Sequence, residues 1–165
     1  MRDLLKEALE SLPHGPEFRF VDRLLSLVPG KHGVGEYLVR GDEYYLRGHL
    51  PGEPIFPGVL LVEAVAQVAG MVAQNDPDFP AFKDLKLTAL RAVKILGTAR
   101  PGETVLIEAS VIGRLGHLVQ AKATASVSGV MIVLADLTLS GTGIKAVGIQ
   151  TSALCVGENH DGSVV

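Results

Sequence analysis

The apolar positions of this chain follow two periods, one helical and one extended. Leu4, Leu5, Ala8, Leu9 and Leu12 recur at helical spacing. They predict a first helix over residues 3–11, stopped by Pro13. Residues 18–27 and 33–40 read as strands, the first ended by Pro29-Gly30. A Gly/Pro-rich turn around His49 follows. From Gly58 to Gln74 apolar side chains then surround the whole axis. This predicts a helix ~26 Å long, buried on every side. Only Glu63, Gln67 and Gln74 interrupt it, on one stripe.

The remainder is extended. Residues 85–96, 103–113, 117–128 and 130–140 are strand-like runs. In the third, Val119, Ala121, Ala123, Ala125 and Val127 alternate with Gln120, Lys122, Thr124 and Ser126, so one face is apolar. Ser128-Gly129 reads as a tight hairpin turn, and Arg114-Leu115-Gly116 as another. The order predicts two strands, a buried helix and a four-strand antiparallel meander. A helix apolar all round needs a sheet that curls about it. The expected fold is therefore α+β, a hot-dog: a curled antiparallel sheet wrapped around a long central helix. Residues 1–140 form one domain in this reading. Residues 141–165 are Gly/Ser-rich, lose the pattern and read as a tail of unknown role.

Composition narrows the class. The chain has 165 residues, 47% hydrophobic and 20% charged, with no Trp, which suits a globular core of Val, Leu, Ile and Ala. A single cysteine, Cys155, forms no internal disulfide framework and fits a reducing compartment. The N-terminus reads as an amphipathic helix, not a signal peptide. The run 59–73 holds Glu63 and Gln67 and is too short and polar to span a membrane. The expected location is cytoplasmic. Within a total net charge of −3, residues 83–100 carry Lys83, Lys86, Arg91, Lys94 and Arg100 against Asp84 alone. Such a patch could steer an acidic partner, or be the solvent face of an edge strand.

Candidate chemistry centres on His49 and Glu63. A carboxyl in an apolar helix is costly unless something uses it, and an imidazole near it would make an acid/base pair. His49 suits a base at neutral pH. Glu63, set among Val and Ala, is expected to stay protonated as the acid. Gly58 opens the helix, so its N–H can face a developing oxyanion, and its missing side chain allows close approach. Gln67, one turn past Glu63, either orients it or bonds across an interface. His14 reads as structural or interface-lining. His32, His117 and His160 read as surface, Tyr44 and Tyr45 as packing residues, and Phe79 and Phe82 as candidate gates of a tunnel. No metal motif, phosphate-loop pattern or Ser-His-Asp arrangement occurs. No cofactor is implied and nothing points to nucleic acid.

Two stretches resemble the β-hydroxyacyl-acyl carrier protein dehydratases of the FabZ type. Leu12-Pro13-His14 through Val21-Asp22-Arg23 is similar to that family's N-terminal signature. Gly48-His49-Leu50-Pro51-Gly52, Pro57-Gly58-Val59-Leu60, Glu63-Ala64 and Ala66-Gln67 match its longer, more specific one. The resemblance runs more weakly to about residue 140. It implies dehydration of a β-hydroxyacyl thioester to the trans-2-enoyl product in fatty acid biosynthesis or a related specialised pathway. It also implies that His49 and Glu63 are the catalytic pair, contributed by different subunits of a homodimer, and that three dimers can form a hexamer. The acidic carrier protein would dock on Arg91, Lys94 and Arg100. Related dehydratase-isomerases have Asp in place of Glu and Cys before the His; Glu63 and Gly48 favour dehydration alone. Leu50, Gly15-Pro16-Glu17 and residues 97–100 depart from the family pattern, which bears on tunnel shape and acyl-chain preference. Two rivals remain: a hot-dog thioesterase using carboxylate-activated water, and a non-catalytic acyl-binding or assembly subunit.

Overall fold

Asp3 starts the first helix by accepting from the backbone N–H groups of Leu5 and Lys6, donors that a helix start leaves open. In the computed structural model, which describes residues 3–141, this helix is α1 (Leu4–Glu10). Strands β1 (Arg23–Val28) and β2 (His32–Leu38) form a hairpin. A short helix, α2 (Leu46–His49), and the long α3 (Gly58–Gln74) follow. Strands β3 (Lys86–Ile95), β4 (Thr104–Leu115), β5 (Leu118–Val127) and β6 (Val130–Ser140) complete the domain. The expected tail, apart from Gly141, lies outside the described residues, as do Cys155 and His160.

All six strands form one antiparallel sheet in the order β1-β2-β4-β5-β6-β3. The expected four-strand meander is thus only three strands long. β4, β5 and β6 are consecutive neighbours, while β3 crosses to the far edge and pairs with β6. A hydrophobic pattern marks a strand but does not name its neighbour. The β5–β6 turn has Ser128 at φ 50° and Gly129 at φ 80°, the two left-handed residues of a tight hairpin.

The sheet wraps α3, which packs against β2, β3, β4, β5 and β6. Leu61, Val65, Val68 and Val72 are fully enclosed. The helix is not buried on every side, however: Val59 in its first turn is 72% exposed. Close seating depends on β2, where a Cβ on Gly33 would come within 2.7 Å of Val72 Cγ2 and one on Gly35 within 3.3 Å of Val68 Cγ2.

The first strand begins later than its apolar residues suggest. Pro16–Phe18 is a 3-10 turn, and the Phe20 N–H bonds to the Gln67 side chain at 2.9 Å instead of a strand. This diversion of backbone from sheet to helix side chain brings the 12–20 segment against the polar stripe of α3.

Candidate active site

The carboxyl of Glu63 sits in the second turn of α3 and is not enclosed by Val and Ala as expected. Its side chain is 23% exposed and lines a cavity of about 500 Å³. One wall is the polar stripe of α3, a second is the segment 11–14, and a third is the segment 83–87. Glu63 Oε1 accepts from Gln67 Nε2 at 3.0 Å, and His14 Nε2 stands 3.3 Å from the same oxygen.

Gln67 is the buried polar side chain beneath this site, 2% exposed. Its Oε1 accepts from Phe20 N–H, and its Nε2 donates to the Phe18 carbonyl at 2.8 Å as well as to Glu63. One amide therefore ties the 18–20 segment to α3 and steadies the carboxyl. The bond expected between Gln67 and Glu63 is thus made within one chain. His14 is held from its other side, since Arg19 Nε donates to its carbonyl at 2.8 Å. Its contact with Glu63 escaped the sequence reading because the partners lie 49 residues apart. The signal available was its place in a Pro13-His14-Gly15-Pro16 turn beside the polar stripe.

His49 ends α2, and is not in an irregular turn. Leu46 inserts into the core at 5% exposure, and its N–H bonds to the Glu43 carbonyl at 3.1 Å, in the turn that leads into the short helix. His49 itself is exposed, with Nδ1 3.3 Å from the Ile55 carbonyl. If Nδ1 carries the proton donated there, Nε2 is the free base.

The segment before His49 is staked down by a polar cluster. Glu43 accepts from the N–H groups of Arg40 and Gly41, both at 2.7 Å, and from the Tyr37 hydroxyl at 3.2 Å. Burial opposes ionisation of Glu43, but these bonds outweigh it and hold its pKa below the ordinary carboxylate value. Burial pushes the Tyr37 hydroxyl up to about 12, and raises that of Tyr45, its partner at 3.0 Å. Tyr45 packs edge-on against Phe20 and Phe56, as expected of a packing residue, while Tyr44 is 54% exposed. A second cavity, of about 520 Å³, opens over this cluster.

Among the described residues, His49 and Glu63 share no hydrogen bond or ion pair, and His49 forms no wall of the cavity that Glu63 lines. Within one chain the two candidate residues make no direct contact.

The remaining candidates fall elsewhere. Gly58 opens α3, but the room left by its missing side chain is taken: a Cβ there would come within 2.8 Å of Ile95 Cδ1. Phe79 and Phe82 sandwich the Arg114 guanidinium at 4.2 and 4.5 Å, and neither lines the cavity. Phe82 is buried, and Gln74 bonds both its N–H and its carbonyl. Arg114 lies 3.7 Å from Asp76; burial lowers its pKa against the pull of that acid. Arg91 and Lys94 are exposed on β3, the edge strand, and flank a bulge there. Arg100 pairs with Glu53 at 3.1 Å. The basic residues on the cavity wall are instead Lys83 and Lys86. His117 is exposed, as expected; His32 is partly buried and bonded to Ser110 at 3.0 Å. No group of three or more His, Cys, Asp or Glu among the described residues could hold a metal ion. No helix among them is long and apolar enough to cross a membrane.

A curled six-stranded sheet around one long helix is the hot-dog fold, and solved structures share it. A chain of the dehydratase heterocomplex ApeI:P from Xenorhabdus doucetiae superposes with a TM-score of 0.70 at 18% identity, over 86% of this chain and 93% of that one. Zebra fish thioesterase superfamily member 2 gives 0.63 at 19% identity, over 82% and 92%. At these identities the likeness is one of fold. The sequence goes further. Residues 12–136 match the model of the FabA-like domain. The 3-hydroxyacyl-[acyl-carrier-protein] dehydratase FabZ of Caldicellulosiruptor saccharolyticus is 36% identical over 129 residues, 78% of this chain and 91% of that protein. The chain belongs to the FabA-like family, and within it to the FabZ type.

Proposed function

We propose that this protein is a hydro-lyase that converts a β-hydroxyacyl chain on acyl carrier protein to the trans-2-enoyl thioester. The setting is fatty acid biosynthesis or a related specialised acyl pathway. His49 removes the α-proton, and the C–H electron pair forms the new double bond. Glu63 protonates the departing β-hydroxyl, which leaves as water. The proton on His49 then returns to Glu63, so the enzyme is restored with no redox partner. The Gly58 N–H at the start of α3 steadies the negative charge on the thioester oxygen.

The single observation that carries this reading is the held carboxyl of Glu63 in a cavity lacking a wall from its own His49. The site is completed by His49 of a second copy. In this reading the homodimer joins along β3, an edge strand that exposes Leu90 and Ile95 and one unpaired side of its backbone. A trimer of dimers is a further assembly of the same unit. The carrier-bound substrate and the lone Cys155 accord with a cytoplasmic place of action.

The fold does not separate this activity from thioester hydrolysis, because a thioesterase superfamily member shares it. Product identity does. Incubated with β-hydroxyacyl carrier proteins of different chain lengths, the protein should yield carrier-bound products lighter by one water in mass spectrometry. Release of free carrier thiol with no enoyl product would contradict the proposal.

A further inference from the structure

Resting on Glu63 as the acid, we propose that His14 is its positioning residue, a neutral fixed donor that makes Oε2 the proton-exchanging oxygen. His14 Nε2 lies 3.3 Å from Glu63 Oε1. The other ring nitrogen, Nδ1, is buried with no hydrogen-bond partner among the described residues. A proton on Nδ1 would strand a buried donor, and an imidazolium would strand it with a charge besides. The neutral Nε2–H tautomer leaves only an unfilled acceptor there, and aims its N–H at Glu63. Arg19 fixes the ring's approach by bonding to the carbonyls of His14 and Leu12.

Gln67 Nε2 donates to the same Oε1 at 3.0 Å. Two N–H groups fill that oxygen as an acceptor. Oε2 has no hydrogen bond among the described residues, and Glu63 lines the cavity. The proton delivered to the leaving hydroxyl is therefore carried on Oε2. Gln67 gives one of its two amide N–H groups to the Phe18 carbonyl and the other to Oε1, which leaves the second acceptor position of that oxygen to His14. The other charged groups on the cavity walls are Lys83, Asp84 and Lys86, on the segment 83–87.

The test uses the full chain. Glutamine sets an amide N–H where His14 has Nε2–H, but does not titrate. His14→Leu should lose about tenfold in kcat, the size of one hydrogen bond made to the acid, with KM within about twofold. His14→Gln should recover most of that loss and keep the wild-type shape of the pH–rate profile. Equal damage in both variants overturns the fixed-donor role in favour of a titrating one. Wild-type turnover in His14→Leu overturns the proposal outright. Long-range 1H–15N spectra of the unmutated protein should show His14 neutral with its proton on Nε2; a proton on Nδ1 at neutral pH overturns it without any variant. A loss below about threefold in Glu63→Gln, against the ~10²–10⁴-fold expected of a general acid, would bring down the acid reading and this role with it. That failure is told apart because the spectra would still report the bonded tautomer.

Discussion

Gln67→Met removes three hydrogen bonds while conserving side-chain length. Two of the partners are backbone groups, the Phe20 N–H at 2.9 Å and the Phe18 carbonyl at 2.8 Å. The Phe20 N–H faces a side chain only 2% exposed in a buried bond, so water has little access to replace what is lost. A buried polar group left without its partner costs about 1–3 kcal/mol, a large share of the ~5–15 kcal/mol that keeps a typical domain folded. The bonds to the Phe18 carbonyl and to Glu63 are only partly buried; loss of the first adds little because water can replace it, and loss of the second should show in kcat rather than stability. Urea unfolding at fixed protein concentration measures the first effect, through the midpoint at unchanged m-value. A loss below about 1 kcal/mol would mean that the 18–20 segment is held by something other than Gln67. In that case the account of why β1 begins at Arg23 fails as well.

Two further outcomes are expected. Glu43 is held below its ordinary pKa in the folded state. Ionised Glu43 therefore contributes stability above its unfolded value, and the contribution fades as pH falls through the folded one. The Tm gap between wild type and Glu43→Gln should be full at neutral pH and close only as pH falls beneath the ordinary carboxylate range; a gap that widens in acid would contradict the assignment. Lys86→Glu should raise the KM for carrier-bound substrate more than Arg100→Glu does, because Lys86 lines the cavity while Arg100 is already paired with Glu53. The effect should grow at low salt and vanish with a small-thiol thioester; equal damage with both substrates would assign these residues to the fold.

The long helix and the hairpin strands were legible because their patterns are local. Gly58–Gln74 is apolar but for one polar stripe, Val130–Ser140 is a long apolar run, and the alternation along β5 maps directly onto its buried face. What depends on distant partners was not legible. The crossover of β3 to β6 is decided by where the helix delivers the chain, which leaves no mark in the strand's own residues. The helix α2 is four residues long, too short for a period, and is held by Glu43 and Leu46 instead. His49 and Glu63 stood out through residue type and spacing. His14 did not, because its meaning comes from Gln67 drawing Phe18 and Phe20 against α3.

The central claim is that the acid and the base meet only between two copies of the chain. Mixed subunits test it directly. His49→Ala and Glu63→Gln homo-oligomers should each be nearly inactive, by the ~10²–10⁴-fold typical of one acid–base group. Heterodimers of the two, made by co-expression with separate tags and purified on both, pair an intact His49 with an intact Glu63 in one of two sites. They should regain about half the wild-type turnover per dimer, as one intact site of two. Purified heterodimers no more active than either parent would place the site within a single chain and contradict the account.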